Sequence, residues 1–240
     1  MSLQIRNDPF TQRLQQIGQW IAQGLLQPAA QALTEAQAQH PKDVRVALMG
    51  VRLAQQAGNL AGAVQAARRA VALEPGWFVA VTELALQLAA QGQFSEAMEH
   101  ARHAVALAPK EPRVLHVAAN VAEGAGNRRQ ALTWAQTALQ LDPQNHPLRL
   151  NYASMLYRER QYKQAQDEFN RVLQAQPGNE TALKSLLNCA LQLGDQSEAQ
   201  RLADVLIIRS PDDEQVRYWH AVAHGQTPKT QPEASVTGLF

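Results

Sequence analysis

Apolar positions along the chain recur at steps of three and four. In Val79–Ala90 they are Val81, Leu84, Ala85 and Leu88, and in Phe94–Leu107 they are Ala97, Ala101, Ala104, Val105 and Leu107. This spacing gathers apolar side chains on one face of an α-helix, whereas a strand would need a step of two. The stripes are short and each ends near a glycine or a proline, so the pattern predicts many brief helices. A coiled coil is excluded, because a proline every 34 residues interrupts any long heptad run.

The punctuation is itself periodic. Pro41, Pro75, Pro109, Pro143, Pro177 and Pro211 stand 34 residues apart, as do Ala29, Ala63, Ala97, Ala131, Ala165 and Ala199. Gly24, Gly58, Gly92, Gly126 and Gly194 keep the same phase, with Arg160 in the place of one glycine. Each residue type has a physical task. The glycine lies between two helical stretches, where a left-handed residue ends the first helix. Arg160 carries a Cβ and costs about 1 kcal/mol there unless its turn differs. The alanine lies early in the second helix, where a larger side chain would overpack a close helix contact by roughly 1–3 kcal/mol. The proline closes the second helix, because it cannot continue the hydrogen-bond ladder.

Gly92-Gln93-Phe94-Ser95-Glu96-Ala97 followed by Ala104-Val105-Ala106-Leu107-Ala108-Pro109 resembles the tetratricopeptide repeat, as do Gly58–Ala63 with Ala70–Pro75 and Gly126–Ala131 with Ala138–Pro143. The resemblance spans about residues 10–224, although the large aromatic and the Leu-Gly pair of the family's first helix are mostly Ala and Leu here. It implies an all-α fold, a right-handed α-solenoid of helix-turn-helix repeats. The expected repeats are 10–43, 44–77, 78–111, 112–145, 146–179 and 180–213, with a C-terminal capping helix at 213–224, in one superhelical domain over 1–225. Asp8-Pro9 supplies an N-cap and a first-turn proline for the opening helix. Arg217 and His224 put polar groups where inner repeats are apolar or small, which suits a solvated cap.

In this family, the first helices line a concave groove that binds partners. By that pattern the groove carries Arg45, Arg52, Arg113, His116, Asn120, Glu123, Asn151, Ser154, Tyr157, Arg158, Lys184, Asn188 and Gln192. Bases outnumber acids there, so an extended, acidic peptide or protein partner is expected, held chiefly by repeats four to six. Asn120, Ser154 and Asn188 share one repeat position and form an expected ladder of donors and acceptors for a peptide backbone. A chaperone-type carboxylate clamp would use Lys184 and Asn188, but Trp219 stands where that clamp needs an asparagine.

Composition adds exclusions. The formal net charge of +1 provides no global field toward nucleic acid or a membrane surface. No stretch reaches the roughly 18 apolar residues of a membrane helix, and Met1–Asn7 does not read as a signal peptide. The single cysteine, Cys189, rules out an internal disulfide and suits a reducing compartment, so a cytoplasmic protein is expected. Cys189 lies among leucines and alanines and reads as a buried thiol. His220 and His224, four apart on a helix, have a spacing that can hold a metal, but the sequence shows no third ligand. His100 and His103 read as exposed, Gly124-Ala125-Gly126 as a repeat turn, and Asn179-Glu180-Thr181 as an unused glycosylation sequon. No catalytic residue, cofactor or metal is expected, and the chain reads as a binding scaffold.

Residues 226–240 form an expected proline-containing tail, and Thr227-Pro228, Pro232 and the Val-x-x-Leu-Phe ending resemble the junction in bacterial proteins that join these repeats to an S-adenosylmethionine-dependent methyltransferase-like domain. That resemblance gives an alternative expectation: a partner-recruiting arm of a larger enzyme whose catalytic half lies outside this chain. A further expectation is weak dimerisation through Val236–Phe240.

Overall fold

The structure is a computed structural model that describes residues 8–226. The expectations that rest on Met1–Asn7 and on 227–240, including the methyltransferase-like junction and the dimerising tail, concern residues outside those described. Among the described residues there are thirteen α-helices and no strand. They fall into two compact units that meet in sequence between Leu141 and Asp142. The first unit contains α1 (Pro9–Ala22), α2 (Leu26–Gln39), α3 (Val44–Gln56), α4 (Leu60–Leu73), α5 (Phe78–Ala90), α6 (Phe94–Leu107), α7 (Pro112–Gly124) and α8 (Arg128–Leu141). The second contains α9 (His146–Arg158), α10 (Tyr162–Ala175), α11 (Glu180–Leu193), α12 (Gln196–Arg209) and α13 (Glu214–Ala223). The architecture is that of an all-α helical-repeat solenoid. No helix among the described residues is long and apolar enough to cross a membrane.

The turns explain the glycine phase. Gly24, Gly58, Gly92, Gly126, Gly194 and Gly225 all have positive φ, and Arg160 joins them at φ 58°. Past each such residue, the next backbone N–H reaches back to the first helix, as in Asn59 to the Ala54 carbonyl at 2.8 Å and Gln161 to the Leu156 carbonyl at 2.9 Å. This six-to-one bond is the Schellman closure. The Arg160 turn therefore does not differ from the others, and the arginine takes the strained conformation itself. Polar N-caps start several of the helices: the Asp8 carboxylate accepts from the Thr11 N–H at 2.7 Å, and the Asn145 and Asn179 side chains accept from the Leu148 and Ala182 N–H groups. The Asn179 sequon position is thus a helix cap.

The alanine phase marks the packing contact. Ala29, Ala63, Ala97, Ala131, Ala165 and Ala199 are all 0–1% exposed, so each is sealed in the contact between paired helices. Val81, Leu84, Ala85 and Leu88 are likewise buried. The second stripe is shorter than its spacing suggests: Ala97, Ala101 and Ala104 are buried, but Leu107, the last residue of α6, is 38% exposed. The prolines follow two residues after the last helical residue, as with Pro41 after Gln39 and Pro211 after Arg209.

Candidate functional site

In the first unit, the first helices of successive hairpins, α1, α3, α5 and α7, border two adjoining clefts. The larger, about 530 Å³, lies between α1 and α3 and is lined by Thr11, Leu14, Gln15, Gly18, Met49 and Arg52 among others. The second, about 360 Å³, lies over α3, α5 and the start of α7; its apolar lining is Leu48, Met49, Val79 and Leu86, and its charged groups are Arg45, Arg52, Glu83 and Arg113. Arg45, Met49 and Arg52 border both clefts.

The three arginines differ in availability. Arg45 is already occupied. Its Nε and Nη2 donate to both oxygens of Asp43, the shorter bond at 2.6 Å, and its Nη1 donates to Thr11 Oγ at 3.1 Å. Its guanidinium also lies 5.3 Å from the centre of the Phe10 ring. Those bonds hold the Asp43 carboxyl below its usual range and the Arg45 guanidinium above its own. Arg45 therefore borders the clefts as a fixed strut and not as a free cation. Arg113 is 74% exposed and only 3.9 Å from Glu83, a loose pair, while Glu83 is also bonded by Gln87 at 2.7 Å. Arg52 is exposed and makes no hydrogen bond or ion pair among the described residues. On α7, His116 is half-buried beside Asn120, with Nδ2 of the asparagine 3.3 Å from its Nε2, and burial lowers the His116 pKa. Glu123 lies half-buried further along α7.

In the second unit, two expected groups are committed elsewhere. Lys184 donates to Glu180 and Asp213, each at 2.8 Å. Burial works against its charge, but the two carboxylates outweigh that and raise its pKa. Its charge is thus already matched, which removes it as the cation of a carboxylate clamp. Ser154 donates its hydroxyl proton to the Leu150 carbonyl at 2.8 Å, so it can only accept from a ligand. Asn120 belongs to the first unit, Ser154 and Asn188 to the second. Asn151 and Asn188 are half-buried, while Arg158 and Gln192 are exposed. Tyr157 packs on Tyr162 at 5.2 Å between ring centres, and burial, with Cys189 nearby, pushes its hydroxyl up to about 12. Burial likewise pushes the Cys189 thiol up to about 12, so it carries no thiolate near neutral pH.

Several residues escaped the reading of the sequence. Met49 and Glu83 both occupy the sixth position of their repeats, so adding that position to the groove pattern would have found them. Arg149 and Glu168 form a half-buried ion pair between α9 and α10; Glu168 also accepts from Arg171 at 2.8 Å, and Arg149 donates to the Pro143 carbonyl at 2.6 Å. No local spacing announces that pair. The missing third partner of His220 and His224 is Asp204, which α12 brings beside them.

Short antiparallel helix pairs, each sealed by an alanine and closed by a left-handed turn, define a helical-repeat protein whose first helices form a cleft wall. Models of the tetratricopeptide repeat match residues 78–121, 122–187 and 156–223, more than half of the 240 residues, and the chain belongs to that family. No curated protein matches it in sequence. Solved structures share its fold at low identity. PilW, a widely conserved type IV pilus biogenesis factor, is similar at TM-score 0.80 and 17% identity, over 88% of this chain and 98% of its own. PilF of Pseudomonas aeruginosa is similar at TM-score 0.74 and 20% identity, over 89% and 97%. YrrB, a tetratricopeptide repeat protein with an unusual peptide-binding site, is similar at TM-score 0.63 and 18% identity, over 78% and 96%.

Proposed function

We propose that this protein is a protein-interaction scaffold that holds an extended peptide segment of a partner in the α1–α3–α5–α7 clefts of its first unit. The observation that carries the reading is the uncommitted Arg52 beside the loosely paired Arg113, over a floor of Leu48, Met49 and Leu86. An apolar floor rewards burial of an apolar side chain, and a basic rim selects acidic neighbours and speeds encounter. The segment is therefore an extended one in which acidic and apolar residues alternate. On this reading the weight of the groove lies on repeats one to four and not on repeats five and six, where Lys184 is already ion-paired. The peptide-binding site of YrrB, a chain of the same fold, supports the use of such a surface for peptides.

The test is a titration of a fluorescently labelled peptide of alternating Asp and Leu. The wild type should bind with an affinity that weakens as salt rises. Arg52→Glu with Arg113→Glu should weaken binding at least about tenfold and flatten its salt dependence, the behaviour expected for reversed interface charges. Lys184→Ala should change neither. Equal affinity and equal salt dependence in the double variant would sink the proposal.

A further inference from the structure

We propose that Asp204, His220 and His224 form a binding site for a divalent transition-metal ion of the zinc class. His220 and His224 stand one turn apart on α13, and Asp204 reaches them from α12. The Nε2 atom of His220 is 3.0 Å from Asp204 Oδ1, and Nε2 of His224 is 3.4 Å from the same oxygen. All three potential ligand atoms lie within 4.8 Å of one another. An ion with bonds of 2.0–2.1 Å in a tetrahedron sets its ligand atoms about 3.3 Å apart, so the two carboxylate–imidazole separations are already near the edges of such a site.

The hydrogen bonds within the cluster give the second argument. Nδ1 of His224 is 2.9 Å from the His220 backbone carbonyl. A carbonyl oxygen only accepts, so Nδ1 must carry the proton that it donates. In the neutral imidazole Nε2 is then an acceptor, and it faces a carboxylate oxygen that is also an acceptor. Two lone pairs confront each other unless a cation stands between them. A carbonyl on the far nitrogen is also the outer contact that fixes a metal-bound histidine's tautomer and ring direction. The two rings stack with centres 4.3 Å apart and planes inclined at 29°, and the Nε2 atoms of both lie beside the same Asp204 oxygen.

Two imidazoles and one carboxylate suit zinc, nickel or copper and not magnesium or calcium, which take oxygen ligands. The side chains are 31–54% exposed, so an ion enters from solvent and keeps a coordination position for water. Bound there, it would tie α13, at ten residues the shortest helix described, to α12.

The experiment uses the full chain free of any affinity tag, stripped with chelator and titrated with Zn²⁺ by calorimetry and with Co²⁺ by visible absorption. One ion per chain should bind, and Zn²⁺ should raise the thermal midpoint. His220→Ala, His224→Ala and Asp204→Asn should each lower affinity by at least about tenfold to a hundredfold, the loss that even an outer contact brings. His100→Ala with His103→Ala, a second close histidine pair on α6, should leave affinity unchanged. A stoichiometry well below one, or Asp204→Asn binding as tightly as wild type, would overturn the assignment and leave a proton as the cation between the groups.

Discussion

At the scale of single residues, Arg160 shows how a repeat records a constraint that one member disobeys. Its φ of 58° and its N–H bond to the Tyr157 carbonyl at 2.9 Å match the glycine turns, down to Gly126 bonding the Glu123 carbonyl at 2.9 Å. A Cβ in that region costs about 1–2 kcal/mol, and a glycine gives part of it back through the entropy of the unfolded chain. Arg160→Gly should therefore stabilise the protein by roughly 0.5–1 kcal/mol, seen as a higher urea midpoint with an unchanged slope; a lower midpoint would mean that the arginine side chain earns its place through contacts. This strain was legible in the sequence, because an αL position is a backbone property tied to the period. The state of the charges was not. Lys184 has a local partner in Glu180, one turn before it, but its second carboxylate, Asp213, lies 29 residues away and comes beside it only in the fold. Arg45 is half an exception, since Asp43 is both its neighbour and the N-cap of α3.

At the scale of helices, two glycines inside or at the end of a helix look alike in sequence and differ in space. Gly18 lies within α1, and a Cβ there would meet only the Met49 side chain at an ordinary 3.7 Å. Gly124 ends α7, and a Cβ there would come within 2.2 Å of the Phe94 ring of α6. Gly18→Ala should stabilise by about 0.5–1 kcal/mol through helix propensity. Gly124→Ala should destabilise by roughly 1–3 kcal/mol, because the half-buried Phe94 must move. Thermal unfolding of the two variants side by side reads both signs, and a stable Gly124→Ala would show that Phe94 swings aside freely. The repeat told where helices begin and end because glycine, alanine and proline act on the backbone. The phased alanine marks one close contact, but the repeat did not tell of the approach at Gly124, because that depends on the single large side chain opposite, and here Phe94 decides it. Asp204 was hidden for the same reason: its distance from His220 is set by the packing of α12 against α13, not by any spacing along one helix.

At the scale of the whole molecule, the period reads on without a break while the contacts sort the chain into two compact units. A repeat fixes where each hairpin starts; the grouping of hairpins depends on side chains that vary from copy to copy. Each unit nonetheless carries one ion-paired helix cap of the same design. Asp43 in the first unit caps α3, accepting from the Arg45 N–H at 2.9 Å, while its carboxylate is gripped by the Arg45 guanidinium. Asp213 in the second caps α13, accepting from the Gln215 N–H at 2.9 Å, while it is gripped by Lys184. The hydrogen bonds from those cations hold both carboxyls below their usual value of 3.8. A carboxyl with a depressed folded pKa adds stability that is complete above its unfolded value of about 3.9 and is lost as pH falls through the folded value. Both units should therefore hold their stability from neutral pH down to about 4 as far as these groups decide it, and lose it together below that. Asparagine caps a helix about as well as aspartate, so Asp43→Asn or Asp213→Asn keeps the cap and removes only the ionic part. Each variant should be somewhat less stable at pH 7, and its denaturant midpoint should fall less than that of wild type between pH 4 and pH 2. A wild-type acid limb that neither substitution flattens would place the acid sensitivity in other carboxylates, with the half-buried, ion-paired Glu168 the next to examine.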